Sequence, residues 1–327
     1  MEDRYLDVIK AVTEGRTKLL LNSNLNGKFF RKKLIIKDAL KNKKDIAKIL
    51  EYIVPERFNS KTTDAKHYYA DVILNNFFKD YPSNPVKLFE YVFYYYSSEN
   101  SNKRKEYLDF MDLISCIKGV ILEDQYSIKK FTKNSSIIID AGANVGIFSF
   151  FAHHLNKESK IYAFEPTKKI FDLLSKNVKN NNLQDNIYPQ NFALGDKKGA
   201  AEIVINNEES FGSLGMGGNV VSDSGLMKNK AVGGTQKETI QMTTIDDFVE
   251  KNNLKKVDFI KIDTEGYEKQ VIKGAENTIK QFSPTISCSA YHLVDDKIKI
   301  PELIMSMNHN YKYSLQNNLE EDLIFWV

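Results

Sequence analysis

Hydrophobic positions follow two different periods along the chain, and the change falls near Lys118. Before it, apolar residues recur at helical spacing. Over residues 28–50 they include Leu34, Ile35, Leu40, Ile46, Ile49 and Leu50, which predicts a helix. Pro55 ends that element at Val54, because the residue before a proline is pushed out of the helical region. Residues 64–78 repeat the pattern with Tyr68, Tyr69, Val72, Ile73 and Phe77. The two prolines within 81–85 predict a turn. Residues 86–96 then read as a third, aromatic-rich helix, with Val86, Phe89, Val92, Phe93 and Tyr96 sharing a face.

After Lys118 the apolar residues come in short β-branched runs at 136–140, 160–165, 257–263 and 284–291. Continuous runs of this kind mark strands buried on both faces. Helical stretches at 147–154, 168–181, 267–282 and 299–307 separate them. Alternating strand and helix predicts a parallel sheet covered on both sides. The tail segments 311–315 and 323–327 add a final hairpin. The reading is therefore an α/β fold: a doubly wound, mostly parallel sheet over residues 119–327, preceded by an all-helical domain over residues 1–118.

Composition agrees with two globular domains. The chain has 327 residues, 42% hydrophobic and 27% charged, enough to bury a core and to exclude a miniprotein, a fibre or wholesale disorder. No apolar run approaches the ~18 residues of a membrane span. The net charge of +3 hides an asymmetry: residues 1–118 carry 22 basic against 16 acidic side chains, the rest 24 against 27. Cys116 and Cys288 stand far apart, with neither disulfide nor metal-ligand spacing. The acidic start lacks the basic segment of a signal peptide, so a cytoplasmic protein is expected.

The strongest chemical signal is Ile139-Asp140-Ala141-Gly142-Ala143-Asn144-Val145-Gly146, between a buried strand and a helix. Its glycines allow a tight turn and close backbone approach to a ligand, and ligands in such sheets sit beyond the carboxyl ends of strands. The Asp-x-Gly-x-x-x-Gly spacing is neither the dinucleotide fingerprint nor a P-loop, which argues against a nicotinamide dehydrogenase and against a phosphate cradle. Asp140 ends its strand, where its carboxylate can position loop amides or meet a cation. The next strand ends in Phe164-Glu165-Pro166, and an acid there can accept from both hydroxyls of a ribose. The pair points to a nucleoside ligand without pyrophosphate.

These residues carry a resemblance. Asp140-Ala-Gly-Ala-Asn-Val-Gly146, Phe164-Glu165-Pro166, Asn191-Phe-Ala-Leu-Gly-Asp196 and Val257-Asp-Phe-Ile-Lys-Ile-Asp-Thr-Glu-Gly266 resemble the FkbM-type methyltransferases, of the seven-stranded, Rossmann-like class that uses S-adenosylmethionine. It covers about residues 119–327, and 258–266 is its most specific stretch. It implies that Asp140, Gly142, Asn144 and Gly146 hold the methionine portion, that Glu165 takes the ribose, and that 191–193, with Ala193, meets the adenine. Residues 119–126 resemble the segment ahead of the first strand that lies across the cofactor; the alternative is a linker strand.

Strand alternation puts Lys261 and Asp263 on one face near a carboxyl end beside the loop, and Asp263 and Glu265 flank the turn into the next helix. Asp263 is the candidate to position or deprotonate an acceptor hydroxyl, besides bordering the cofactor. Lys261 is the candidate to stabilise a forming oxyanion or to pair with Asp263, and Glu265 is a third candidate. His292, at the end of the next strand, is an alternative base. Asp140, Asp263 and Glu265 could bind a hard cation, but no compact ligand motif supports one and no metal is expected. The Gly/Ser-rich insertion 206–235 is too long for an ordinary connection and reads as a substrate-side lid.

The reaction expected is O-methylation of a sugar or glycan hydroxyl, the acceptor being what the family resemblance implies. The basic residues of 28–48 suggest an anionic acceptor. RNA ribose methylation is the alternative, with nucleic acid otherwise not expected as a partner. A non-catalytic nucleoside-binding module is the rival of another class. The helical domain is a candidate homodimer surface.

Overall fold

The computed structural model describes residues 85–95, 109, 113, 116–131, 135–205, 220–221, 236–317 and 321–327. Contacts divide the chain into two units, residues 1–93 and 94–327. The helices read at 28–50 and 64–78, the basic segment and the proposed dimer surface lie outside the described residues. Over 86–95 the described residues correct the sequence reading: they hold no helix. Val86–Leu88 and Tyr91–Phe93 are antiparallel strands joined at Phe89 and Glu90. Val86, Leu88, Tyr91 and Phe93 are buried while Lys87 and Val92 are exposed, so the period here is two, not 3.6. Phe89 takes φ 55°, as a two-residue hairpin turn demands.

The second unit is built on a seven-stranded sheet. Its strands and helices follow in the order β1 (Ile137–Ala141), α1 (Ile147–Leu155), β2 (Lys160–Phe164), α2 (Lys168–Asn180) and β3 (Ile187–Gln190). After a second, smaller sheet come β8 (Phe259–Ile262), α4 (Glu268–Lys273), α5 (Glu276–Phe282), β9 (Thr285–Ser289), α6 (Asp296–Met307), β10 (Lys312–Asn317) and β11 (Glu321–Trp326). Across the sheet the strands lie in the order β10-β11-β9-β8-β1-β2-β3. The five from β9 to β3 are parallel; β11 is antiparallel to both β9 and β10. This is the doubly wound, mostly parallel seven-stranded sheet expected, with the tail hairpin closing one edge. The winding reverses between β1 and β8, so the switch point lies at their carboxyl ends.

Buried β-branched side chains form the core: Ile139 and Ile138 of β1, Ile260 and Ile262 of β8 and Ile286 of β9 are all nearly inaccessible. Ile139, Ile260, Ile262 and Ile286 pack with Val271 and Ile272 of α4 and Ile300 and Ile304 of α6. Helix α2 shows the complementary pattern, with Ile170, Leu174, Asn177 and Val178 inward.

The smaller sheet was not foreseen. It contains β4 (Ala193–Leu194), β5 (Gly199–Ile205), β6 (Val220–Val221) and β7 (Gln236–Thr243), in the order β4-β7-β5-β6. Its long pairing runs Gly199↔Met242 to Ile205↔Gln236, and helix α3 (Ile245–Lys251) leads from it back to β8. The rest of the insertion read as a lid, 206–219 and 222–235, lies outside the described residues.

The segment before β1 is no linker strand. Lys118–Leu122 form a π-helical turn, and the Asp124 side chain then accepts from the Ile128 and Lys129 amides, capping the short helix Ile128–Phe131.

Candidate active site

The loop after β1 is folded onto the end of β2. The Gly142 and Ala143 amides both donate to the Phe164 carbonyl, at 3.1 and 2.8 Å. Gly142 is required twice over: its φ is +78°, and a Cβ there would lie 1.9 Å from the Asp263 carbonyl oxygen. The loop after β1 and the end of β8 therefore meet backbone to backbone at the switch point. Asn144 takes φ 51°, and Gly146, at φ 102°, begins α1.

Glu165 ties this loop to the second strand end. It accepts from the Asn144 amide on Oε2 at 3.1 Å and from the Thr167 amide on Oε1 at 2.9 Å. Burial raises its pKa to about 7, although these amides and the Lys261 charge pull the other way. A carboxylate offers about four acceptor positions; the two amides and the Thr167 side chain take three, leaving one for a hydroxyl donor. The Asn191 side chain donates to the Glu165 and Pro166 carbonyls and holds this corner; Ala193 is buried in β4 and Phe192 beside it is exposed.

Below the loop sits a buried ion pair. Asp140 and Lys261 are register partners on β1 and β8, and Lys261 Nζ lies 3.2 Å from Asp140 Oδ1. Lys261 also donates to the Gly142 carbonyl at 2.7 Å and the Ala141 carbonyl at 3.3 Å, and Ser149 donates to Asp140 Oδ2 at 2.6 Å. Both charged groups are sealed from solvent. Burial alone would lower the Lys261 pKa, but Asp140 and Asp263 outweigh it and hold the ammonium above its ordinary value. This revises the sequence reading of the pair: the ion-pair partner of Lys261 is Asp140, and its hydrogen bonds go to loop carbonyls.

Asp263 and Glu265 leave the end of β8, and His292 follows β9, which ends at Ser289, two residues earlier than the strand read from sequence. His292 Nε2 lies 3.4 Å from Glu265 Oε2 and 3.8 Å from Asp263 Oδ1; its Nδ1 lies 3.0 Å from Glu268 Oε1. Burial pushes the imidazole pKa down, but Glu268 foremost, then Glu265, lifts it well above the ordinary value. The carboxylates around His292 therefore favour the charged form of its ring. Burial pushes Asp263 up, but Lys261, His292 and the Tyr126 hydroxyl hold its carboxyl below the usual range.

Two members escaped the sequence reading. Tyr126 donates to Asp263 Oδ2 at 2.8 Å across 137 residues, and its ring packs edge-on against Phe148. Glu268, almost fully buried, accepts through Oε1 from the Thr264 and Gly266 amides at 2.9 and 3.2 Å and so shapes the turn. The third carboxylate in Asp263-Thr-Glu265-Gly-Tyr-Glu268 was the available signal for Glu268. Tyr126 had only its place in the segment ahead of β1.

The fold is a doubly wound α/β sheet whose glycine loop and acidic strand end meet at the switch point. The methyltransferase FkbM domain model matches residues 140–315, and the chain belongs to that family; it is an S-adenosylmethionine-dependent methyltransferase. Methyltransferase sdnD of Sordaria araneosa is 26% identical over 180 residues, covering 49% of this chain and 67% of that protein. The hexuronic acid methyltransferase AglP of Haloferax volcanii is 24% identical over 148 residues, covering 45% of this chain and 53% of that one. The chain thus spans half to two thirds of these relatives. The crystal structure of methyltransferase FkbM from Methylobacillus flagellatus superposes with a TM-score of 0.44 at 16% identity, over 69% of this chain and 56% of that one.

Proposed function

We propose that this methyltransferase transfers its methyl group to a hydroxyl of a sugar or glycan. The observation that carries the reading is the ionised Asp263, held by Tyr126 at the end of β8 where the loop after β1 abuts it. AglP, by its name a hexuronic acid methyltransferase, supports a carbohydrate acceptor.

Glu165 suits the ribose of the donor, having both oxygens fixed by amides and acceptor capacity to spare. Gly142, Asn144 and Gly146 would hold the methionine portion by backbone, with Asp140 and Lys261 keeping the loop in place beneath, and 191–193 would border the adenine. S-adenosylmethionine, when bound, supplies a methyl group already activated on a sulfonium. The chain's own task is then alignment and proton removal. Asp263 accepts a hydrogen bond from the acceptor hydroxyl and so aims its oxygen. As that oxygen gains its bond to carbon it becomes strongly acidic, and the proton passes to the Asp263 carboxylate. A base of low pKa suffices at that stage. His292 and Lys261 keep the surrounding charge balanced.

The test is incubation with radiolabelled methyl donor and separate pools of glycans, nucleotide sugars including uronic acids, lipid-linked sugars, RNA and protein. Label released as an O-methyl sugar is the expected result. Label confined to RNA ribose would establish the alternative, and no S-adenosylmethionine binding would remove the reading altogether.

A further inference from the structure

The carboxylates around His292 leave more valence open than a resting charge cluster needs. Asp263 Oδ1 and Glu268 Oε2 are both buried without a hydrogen-bond partner. Orphaned buried polar atoms are costly and rare, yet here two carboxylate oxygens come from one site. Asp263, Glu268 and His292 each also offer a ligand atom within 4.8 Å of the other two's. Glu268 is almost fully buried, and the His292 side chain is only 6% exposed, so water is a poor substitute partner. Carboxylates face both ring nitrogens of His292: Glu268 Oε1 lies 3.0 Å from Nδ1, and Glu265 Oε2 and Asp263 Oδ1 lie 3.4 and 3.8 Å from Nε2.

We propose that Asp263, Glu268 and His292 form a divalent-cation site, with Glu265 at its border, on the acceptor side of the switch point. An imidazole beside carboxylates, with no thiolate, favours manganese or zinc over magnesium or calcium, which prefer all-oxygen sets. The positions of the neighbours fit this role. Tyr126 occupies Asp263 Oδ2 and leaves Oδ1 free, and the turn amides occupy Glu268 Oε1 and leave Oε2 free. The proposal deepens the hydroxyl-acceptor reading and rests on it only for the ion's purpose. A cation there would hold adjacent oxygens of a sugar, or a hydroxyl and a carboxylate, and make the hydroxyl easier to deprotonate.

The test is binding, so it does not need the acceptor. Full-length protein stripped with chelator is titrated with Mn²⁺, followed by calorimetry and by the loss of the free-ion paramagnetic resonance signal, then with Zn²⁺. One site is expected, weakened at least tenfold in Glu268→Gln and separately in His292→Gln. S-adenosylhomocysteine binding to the same samples, expected within twofold of the parent, certifies that each variant is folded. No saturable binding of either ion by the parent, or binding that both variants retain, overturns the proposal. Failure of the hydroxyl-acceptor reading would show differently, as metal binding without any O-methylated sugar.

Discussion

At the scale of single residues, the site separates groups that face a ligand from groups that hold those in place. Tyr126 belongs to the second kind: removing its hydroxyl frees the Asp263 carboxylate to rotate. Tyr126→Phe is expected to lower kcat about tenfold, the size of one lost hydrogen bond to a charged group, with S-adenosylhomocysteine affinity unchanged. An unaltered kcat would detach Tyr126 from turnover. Lys261→Met tests the ion pair beneath the loop. It strands Asp140 as a buried charge and should cost about 3–5 kcal/mol in denaturant unfolding, while the double variant with Asp140→Asn should recover much of that loss. If the double variant is as unstable as the single, the pair is not the source of the penalty. Glu165 gives a pH signature. Its folded-state pKa of about 7 lies above the ordinary 4.5, so it stabilises the free protein fully below 4.5, and that contribution is lost as pH rises through about 7. A ribose hydroxyl donates to the ionised form. S-adenosylhomocysteine should therefore bind several-fold more tightly at pH 8 than at pH 6, by calorimetry, with a flat profile in Glu165→Gln. A parent profile as flat as the variant's would take Glu165 out of the ribose contact.

At the scale of elements, what was legible in the sequence was what local pattern encodes. The buried strands are β-branched runs, their order gives the parallel sheet, and the glycine loop and Glu165 sit where strands end. Asp263, Glu265 and His292 were readable for the same reason. What escaped needs contacts distant in sequence, or a period two in place of 3.6. The hairpin at 86–93 reads as helical because Phe89, which only turns the chain, adds an apolar residue to the helical face. The stretch 267–282 reads as one helix, but it breaks into α4 and α5 at Gly274 and Ala275. The cause is a neighbour no local pattern records: a Cβ on Gly274 would lie 1.9 Å from the Gly195 carbonyl oxygen, next to β4 of the smaller sheet. The Gly274 carbonyl instead accepts from Asp246, whose carboxylate caps α5 through the Asn277 and Thr278 amides. Gly274→Ala, favourable in an isolated helix, should here destabilise by about 1–3 kcal/mol through overpacking. Thermal unfolding measures it, and an unchanged midpoint would show that the two backbones can separate freely.

At the scale of the whole molecule, the chemistry and the excess charge lie in different parts of the chain. Residues 119–327 carry the sheet, the loop and the carboxylates and are slightly acidic, whereas residues 1–118 carry six more basic than acidic side chains. An acidic switch point attracts a cationic sulfonium donor but repels an anionic acceptor such as a uronic acid. A basic segment elsewhere on the chain can offset that repulsion by raising the acceptor's local concentration, an effect that operates over about a Debye length and is screened by salt. The triple variant Lys32→Glu, Lys33→Glu, Lys37→Glu isolates this contribution, because it leaves every group at the switch point intact. If the acceptor is anionic and the segment attracts it, the Michaelis constant for the acceptor should rise about tenfold. Turnover at saturation and S-adenosylhomocysteine affinity should not move, and the difference from the parent should shrink as salt increases. A rise that persists at high salt would indicate direct contact with the acceptor in place of attraction at a distance, and an unchanged Michaelis constant would reduce the basic segment to a solvated surface.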